Sequence, residues 1–484
     1  MLILGAPGSG KTTLAGQIGF TAARAGQSVI LLTALSEATS KLVTHLRGFA
    51  YFDEALLGDT VQVLSLQAAL SKGMEETKNS VVDMVRRQKP RLVVLDGFQA
   101  VRGSLGNVQG ARQFLYELST TLHTLGVTLL VTSEINPHDP TFFPESTAAD
   151  VIVGLHYRVL GVRQYRGLEV IKARGTAPLS GIHMFLLGSE GLHIVPQLEE
   201  QVALEALADR ENALAAMSAA QPEERLSLGL AEIDTLLSGG LPPATSTLVL
   251  GPTGVGKTLL GLHFLLQGVQ RAEPTLLLSF RETRQALLRL SAPFALAPQV
   301  QAALQPAGGL TLLEQPALKV QVDAVAERLF ASLEETHARR LVIDGAAVLE
   351  QALHRAGQTE RMEEWLTALL MALQQRGVTT LLIRDTPELL GSAQGFLADP
   401  LALLADNVLL CQQVSFEGQL RRVLSVLTMR YSDFDTGGRE FRIVAPAGLD
   451  VLPPSQTTLS LLGSARDLVK GGLVSNPAFQ RSAG

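Results

Sequence analysis

The sequence predicts an α/β protein of two tandem domains, each a mostly parallel sheet with helices on both faces. Three observations carry that expectation. Apolar runs are short, as in Val29–Leu32 and Leu92–Leu95, the length of strands buried on both faces. A glycine-rich motif occurs twice, at Gly5–Thr12 (GAPGSGKT) and Gly251–Thr258 (GPTGVGKT), each time after an apolar run and before a helix-like stretch. The landmarks downstream of the two motifs keep one register, roughly 250 residues apart, so each copy is a whole domain rather than a solenoid repeat.

In chain order, Leu2-Ile3-Leu4 is the first strand and the glycine-rich loop follows it; a second run, Leu92–Leu95, ends in Asp96. The second copy repeats this with Thr247–Leu250, the loop, and Leu341-Val342-Ile343 ending in Asp344. Between them an Ala- and Glu-rich stretch, Ala203–Ala220, reads as a polar helix or linker. The expected organisation is a first domain over 1–197, a linker over 198–225, a second domain over 226–455 and a mobile tail over 456–484. The second copy also has a lead-in, Leu226–Leu241, whose Leu230, Ile233, Leu236 and Leu237 recur at helical spacing. The first copy has only ten residues before Lys11, so a natural beginning of roughly twenty residues is expected to be missing, leaving apolar surface uncovered.

Composition narrows the function classes. With 46% apolar and 18% charged residues among 484, the chain is globular. A net charge of −6 and no run of five like charges argue against a nucleic-acid surface. The single cysteine, Cys411, excludes a disulfide framework and a Cys-rich zinc module, and a reducing, cytoplasmic setting is the default. The opening apolar run is too short for a signal peptide, and no run approaches a membrane span.

The motif carries the chemistry. Its glycines let backbone N–H groups crowd around phosphate oxygens while the helix behind points its positive end at them. Gly8, Ser9, Gly10, Lys11, Thr12 and Thr13 form that cradle in the first copy, and Gly254, Val255, Gly256, Lys257, Thr258 and Leu259 in the second. Lys11 and Lys257 would reach the β- and γ-phosphates, and Thr12 and Thr258 would offer a hydroxyl to Mg²⁺. Asp96 and Asp344, alone, read as turn carboxylates at strand ends; behind such loops they read as holders of the metal's water shell. ATP and Mg²⁺ are therefore the expected ligands.

With these residues in hand, the chain resembles the KaiC-like family, double-domain ATPases of the RecA superfamily. The resemblance rests further on the lead-in (LSLGLAEIDTLLSGGL), on Phe280-Arg281-Glu282-Thr283, and on Lys172-Ala173-Arg174-Gly175-Thr176. It implies a homo-oligomer, a hexameric ring, with ATP between neighbouring subunits. It also implies that Lys172 and Arg174, and Arg430 in the second copy, reach the phosphates from next door. Three departures stand out. The family's two adjacent glutamates read Ser36-Glu37 and Arg281-Glu282, leaving Glu37 and Glu282 as candidates to activate water. The phosphoacceptor positions hold Ala402 and Leu403, which lack hydroxyls, and Thr428 replaces the second copy's finger lysine. Phe294 matches an adenine-stacking aromatic of the family's second domain, or is a core residue.

The resulting expectation is a slow, ring-forming ATPase with a regulatory or signalling output through an unidentified protein partner. The alternatives are a nucleotide-gated scaffold without significant turnover, a serine/threonine autokinase, and a RecA-like DNA motor. Turnover should concentrate in the first copy, which keeps both finger residues.

Overall fold

The computed structural model describes residues 1–34, 39–104, 108–138, 146, 148–206, 224–386, 399–416 and 418–454. The chain divides into two compact units, Met1–Glu200 and Gln201–Gly484. The proposed tail and most of the proposed linker lie outside the described residues.

The first unit holds β1 (Leu2–Gly5), β2 (Val29–Thr33), β3 (Val61–Ser65), β4 (Leu92–Asp96), β5 (Thr128–Ser133), β6 (Val151–Leu160), β7 (Arg163–Ala173), β8 (His183–Gly188) and β9 (Gly191–Val195). They form one sheet in the order β3-β2-β4-β5-β1-β6-β7-β8-β9. Pairing is parallel from β3 through β6 and antiparallel from β6 to β9. The parallel strands are apolar throughout because both faces are covered. Leu2, Leu4, Ile30, Leu32, Val93 and Leu95 enter one core, under the helices Met74–Gln88 and Val108–Thr124. Ile3, Val29, Leu31 and Val94 alternate into the other, under the helix Lys11–Arg24.

The second unit repeats this arrangement with β10 (Ser246–Gly251), β11 (Thr275–Ser279), β12 (Leu310–Glu314), β13 (Arg340–Asp344), β14 (Thr379–Asp385), β15 (Asn407–Phe416), β16 (Gln419–Met429), β17 (Arg439–Val444) and β18 (Gly448–Val451). The order is β12-β11-β13-β14-β10-β15-β16-β17-β18, strand for strand that of the first unit. The expected α/β class, two mostly parallel sheets of RecA-like type, is what folds; the antiparallel flank of each sheet was not legible beforehand.

The Leu226–Leu241 lead-in closes on itself through an antiparallel bridge between its end residues and a short helix, Ala231–Leu236, that buries Ile233 and Leu236. It is tied down by Arg340, fully buried, which donates to Ser227 O at 2.7 Å and Phe264 O at 3.2 Å and pairs with Glu273 at 2.7 Å. In the first unit the positions matching Phe264 and Gly268 are Ile18 and Ala22, both half-buried. Among the described residues, no helix is long and apolar enough to cross a membrane.

Candidate phosphate-binding sites

Each glycine-rich loop joins the C-terminal end of a central strand to a long helix. Gly10 (φ 99°, ψ 14°) and Gly256 (φ 117°, ψ 12°) hold the left-handed conformation that starts the helices Lys11–Arg24 and Lys257–Gln270, and neither helix has a side-chain cap. The first intrahelical bonds run from Leu14 N–H to Gly10 O and from Leu260 N–H to Gly256 O. The N–H groups of Lys11, Thr12 and Thr13, and of Lys257, Thr258 and Leu259, therefore precede the ladder, at the positive end of each helix. Ser9 Oγ is buried beside them with no hydrogen-bond partner. An anion with several oxygens fits this set of donors.

The lysines fold back over their loops. Lys11 Nζ donates to Gly5 O at 2.9 Å and Ala6 O at 3.0 Å, and Lys257 Nζ to Gly251 O at 2.7 Å and Pro252 O at 2.8 Å. Burial pushes the Lys11 ammonium below its usual range, with Glu134 and Asp96 opposing. Thr12 Oγ1 donates to Asp96 at 3.0 Å, and Thr258 Oγ1 to Asp344 Oδ2 at 3.0 Å. A hydroxyl and a buried carboxylate on facing elements are the donor types that Mg²⁺ takes, so these pairs suit the metal. Burial raises the Asp344 carboxyl, reinforced by Glu282 and Asp385 and offset by Thr258 and Arg281.

One residue that the sequence did not single out completes each site. The strand order places β5 and β14 directly beside β1 and β10. Their C-terminal ends thus deliver Glu134 and Asp385 to the lysines. Asp385 Oδ1 lies 2.8 Å from Lys257 Nζ, and its other oxygen pairs with Arg281. Burial alone would raise the Asp385 carboxyl, but Lys257 and Arg281 outweigh it and hold it below its ordinary value. Arg281, standing where the family has an acid, is thus fixed to this carboxylate. In the first unit Thr132 Oγ1 adds a 2.6 Å hydrogen bond to Asp96. The available signal was that the fifth strand of each copy has an acid at its C-terminal end, Glu134 just after β5 and Asp385 as the last residue of β14.

The remaining candidates sit elsewhere. Glu37 lies outside the described residues; Glu282 is half-buried and near enough to Asp344 to shift it, with its own N–H donating to Ser279 Oγ at 2.8 Å. Lys172 donates to Ala149 O at 2.7 Å, and Arg174, exposed, pairs with Asp150 at 3.1 Å. Because β7 runs antiparallel to β6, its end at Ala173 pairs with Val151, four residues from Leu155, the partner of Gly5. At ~3.3 Å per residue the fingers start ~13 Å back along the strands from their own loop, at the opposite end of those strands. Arg430 is placed alike, donating to Leu403 O at 3.0 Å beyond the Asn407–Met429 pair. Ala402 and Leu403 lie on the helix Pro400–Leu404, and Phe294 packs half-buried on the core.

The family model described as "ATPase: KaiC" matches residues 1–199 and again 226–456. The circadian clock oscillator protein KaiC 1 of Synechocystis sp. is 25% identical over 456 residues, covering 91% of this chain and 83% of its own length. The circadian clock protein KaiC3 of the same organism is 25% identical, with 91% and 85% covered. The circadian clock oscillator protein KaiC of Thermostichus vulcanus is 24% identical, with 93% and 84% covered. Matched across both units, the chain belongs to the KaiC ATPase family, with its ATPase domain present twice.

Proposed function

We propose that this protein is a ring-forming ATPase that binds Mg·ATP in each unit, hydrolyses it slowly, and uses the cycle to set a conformational or partner-binding state in the cytoplasm. The observation that carries this reading is the separation, in each unit, of a complete phosphate cradle from the basic finger residues. The cradle lies at the C-terminal ends of the central parallel strands and Lys172, Arg174 and Arg430 at the opposite end of those strands, which supports a site completed by a neighbouring copy, most simply in a hexamer.

Within one cradle, the loop N–H groups and Lys11 or Lys257 would hold the phosphates, and Thr12 with Asp96, or Thr258 with Asp344, would hold Mg²⁺. When bound, the metal would neutralise charge on the transferred phosphoryl group. In the second unit Glu282, close enough to Asp344 to act on its carboxyl, is assigned the role of orienting water. The sites are unequal: Asp385, itself paired with Arg281, already occupies Lys257, and Thr428 leaves the second unit one finger cation short. Turnover is therefore assigned mainly to the first unit.

The test is ATPase turnover of the intact chain beside Lys11→Ala and Lys257→Ala, with ring size measured by light scattering in the same samples. Assembly on ATP, with most phosphate release lost in Lys11→Ala, supports the proposal. Assembly without phosphate release would replace it with a nucleotide-gated scaffold, and a monomer at saturating ATP would remove the ring.

A further inference from the structure

Away from the cradle's lysines, the first unit brings together three side chains that the nucleotide chemistry does not use. His156 stands on β6, Glu169 on β7, and His138 on the segment that follows β5. His156 Nε2 lies 2.9 Å from Glu169 Oε2, and His138 Nε2 lies 3.8 Å from the same oxygen. The two imidazoles are 4.6 Å apart between centroids and tilted by 32°. All three ligand atoms fall within 4.8 Å of one another. His156 is buried, Glu169 half-buried and His138 exposed, so the cluster has a built floor and one open side.

The backbone is arranged to allow this approach. Pro137 crosses so close to β6 that a Cβ on Gly154 would stand 2.9 Å from it, and this contact sets the neighbouring His138 against His156. One carboxylate oxygen facing two imidazoles makes one good hydrogen bond and one long contact. Around a zinc-sized ion at 2.0–2.1 Å, tetrahedral ligand atoms stand about 3.3 Å apart. The two separations to Glu169 Oε2 bracket that value, and all three ligand atoms lie within 4.8 Å, so small side-chain adjustments suffice to bring the set toward it. The second unit supplies an internal comparison: the register of β15 and β16 puts Gln412 and Ser425 where β6 and β7 carry His156 and Glu169. Gln412 and Ser425 make no such ligand set. Arg158, exposed two residues further along β6, is the nearby cation that Glu169 must offset.

We infer that His138, His156 and Glu169 form a binding site for a divalent first-row transition metal, zinc foremost, in the first unit alone. Two imidazoles and one carboxylate are ligands that suit such ions, with a fourth position left to water. Loading would fasten the segment after β5 to β6. That segment also carries Glu134, whose charge acts on Lys11, so the ion would steady the carboxylate beside the phosphate lysine.

The test uses the full chain, stripped of metal and free of nucleotide, titrated with Co²⁺ in excess Mg²⁺ to block the Thr12 and Thr258 positions. The expected result is one equivalent of Co²⁺ per chain with visible ligand-field absorption, displaced by Zn²⁺. His138→Gln, an exposed change that leaves the fold intact by circular dichroism, should weaken binding by at least ~10-fold. Glu169→Gln together with His156→Gln should abolish the absorption. A featureless spectrum for the parent chain, or unchanged affinity in folded His138→Gln, overturns the inference.

Discussion

Asp385→Asn offers a test of how the second unit regulates its own phosphate lysine. Asp385 lies 2.8 Å from Lys257 Nζ and also holds Arg281, so its carboxylate stands where a γ-phosphate would need the ammonium. A unit negative charge ~5 Å from a phosphate oxygen costs about 3 kcal/mol at an effective dielectric near 20, and about half that near 40. Asp385 is 32% exposed, which favours the lower figure. Asparagine keeps the shape and an oxygen for Lys257 while removing the charge. Binding of a non-hydrolysable Mg·ATP analogue should therefore tighten by about 1.5 kcal/mol, roughly tenfold in Kd. The measurement is calorimetric titration of Lys11→Ala/Asp385→Asn against Lys11→Ala, so that only the second site reports. Unchanged or weaker binding, at equal folding and ring size, would refute the reasoning and recast Asp385 as a residue that positions Lys257 for phosphate.

Arg174→Ala should remove most ATPase activity, on the order of 10³-fold at the first site, whereas Arg430→Ala should leave most of it; phosphate release at matched ring assembly ranks the two. Burial lowers His263 to about 4, so it is neutral in the fold but protonates below its ordinary 6.5 once unfolded. Its effect is therefore absent above about pH 6.5 and destabilising as pH falls toward 4, costing about 2 kcal/mol at pH 5. Urea unfolding followed through Trp365, the chain's one tryptophan, should show that loss, and His263→Leu should flatten it. Arg340→Ala, which strands Glu273 and frees Ser227 O, should cost the second unit about 3–5 kcal/mol by the same fluorescence.

The parts of each site that lie on one stretch of chain were legible. The loop from Gly5 to Thr12 declares itself because glycine spacing, lysine and threonine act within eight residues. Asp96 and Asp344 were legible because a buried strand ending in an acid repeats behind both loops. Glu134 and Asp385 were not, because they reach the lysines through sheet order, β5 and β14 being inserted beside β1 and β10, and sheet order is not written as spacing. Arg281 could be read as a cation in an acid's place, but its partner lies 104 residues away and only the fold pairs them. The antiparallel flanks were hidden for a related reason: β6 and β7 are apolar where buried, but exposed Val159, Leu160 and Val162 carry apolar character out to the tip, so hydropathy does not mark where the pairing turns antiparallel.

The placement of the fingers also yields a test of the ring that needs no structure of it. If Arg174 acts on a neighbour, a chain lacking Lys11 still offers a finger, and a chain lacking Arg174 still offers a cradle. With Lys257→Ala in both partners to silence the second site, Lys11→Ala and Arg174→Ala should each be nearly inactive alone. Mixed one to one and allowed to exchange, a quarter of first-unit sites would pair an intact cradle with an intact finger, so about a quarter of the parent turnover should return. The ~13 Å along the strands that separates the start of the finger from its own loop, with two strands' width besides, makes recovery the expected result. A mixture that forms mixed rings, confirmed by pull-down of a tagged partner, yet stays inactive would place the finger's action within one chain and would require β7 to leave the register it holds with β6.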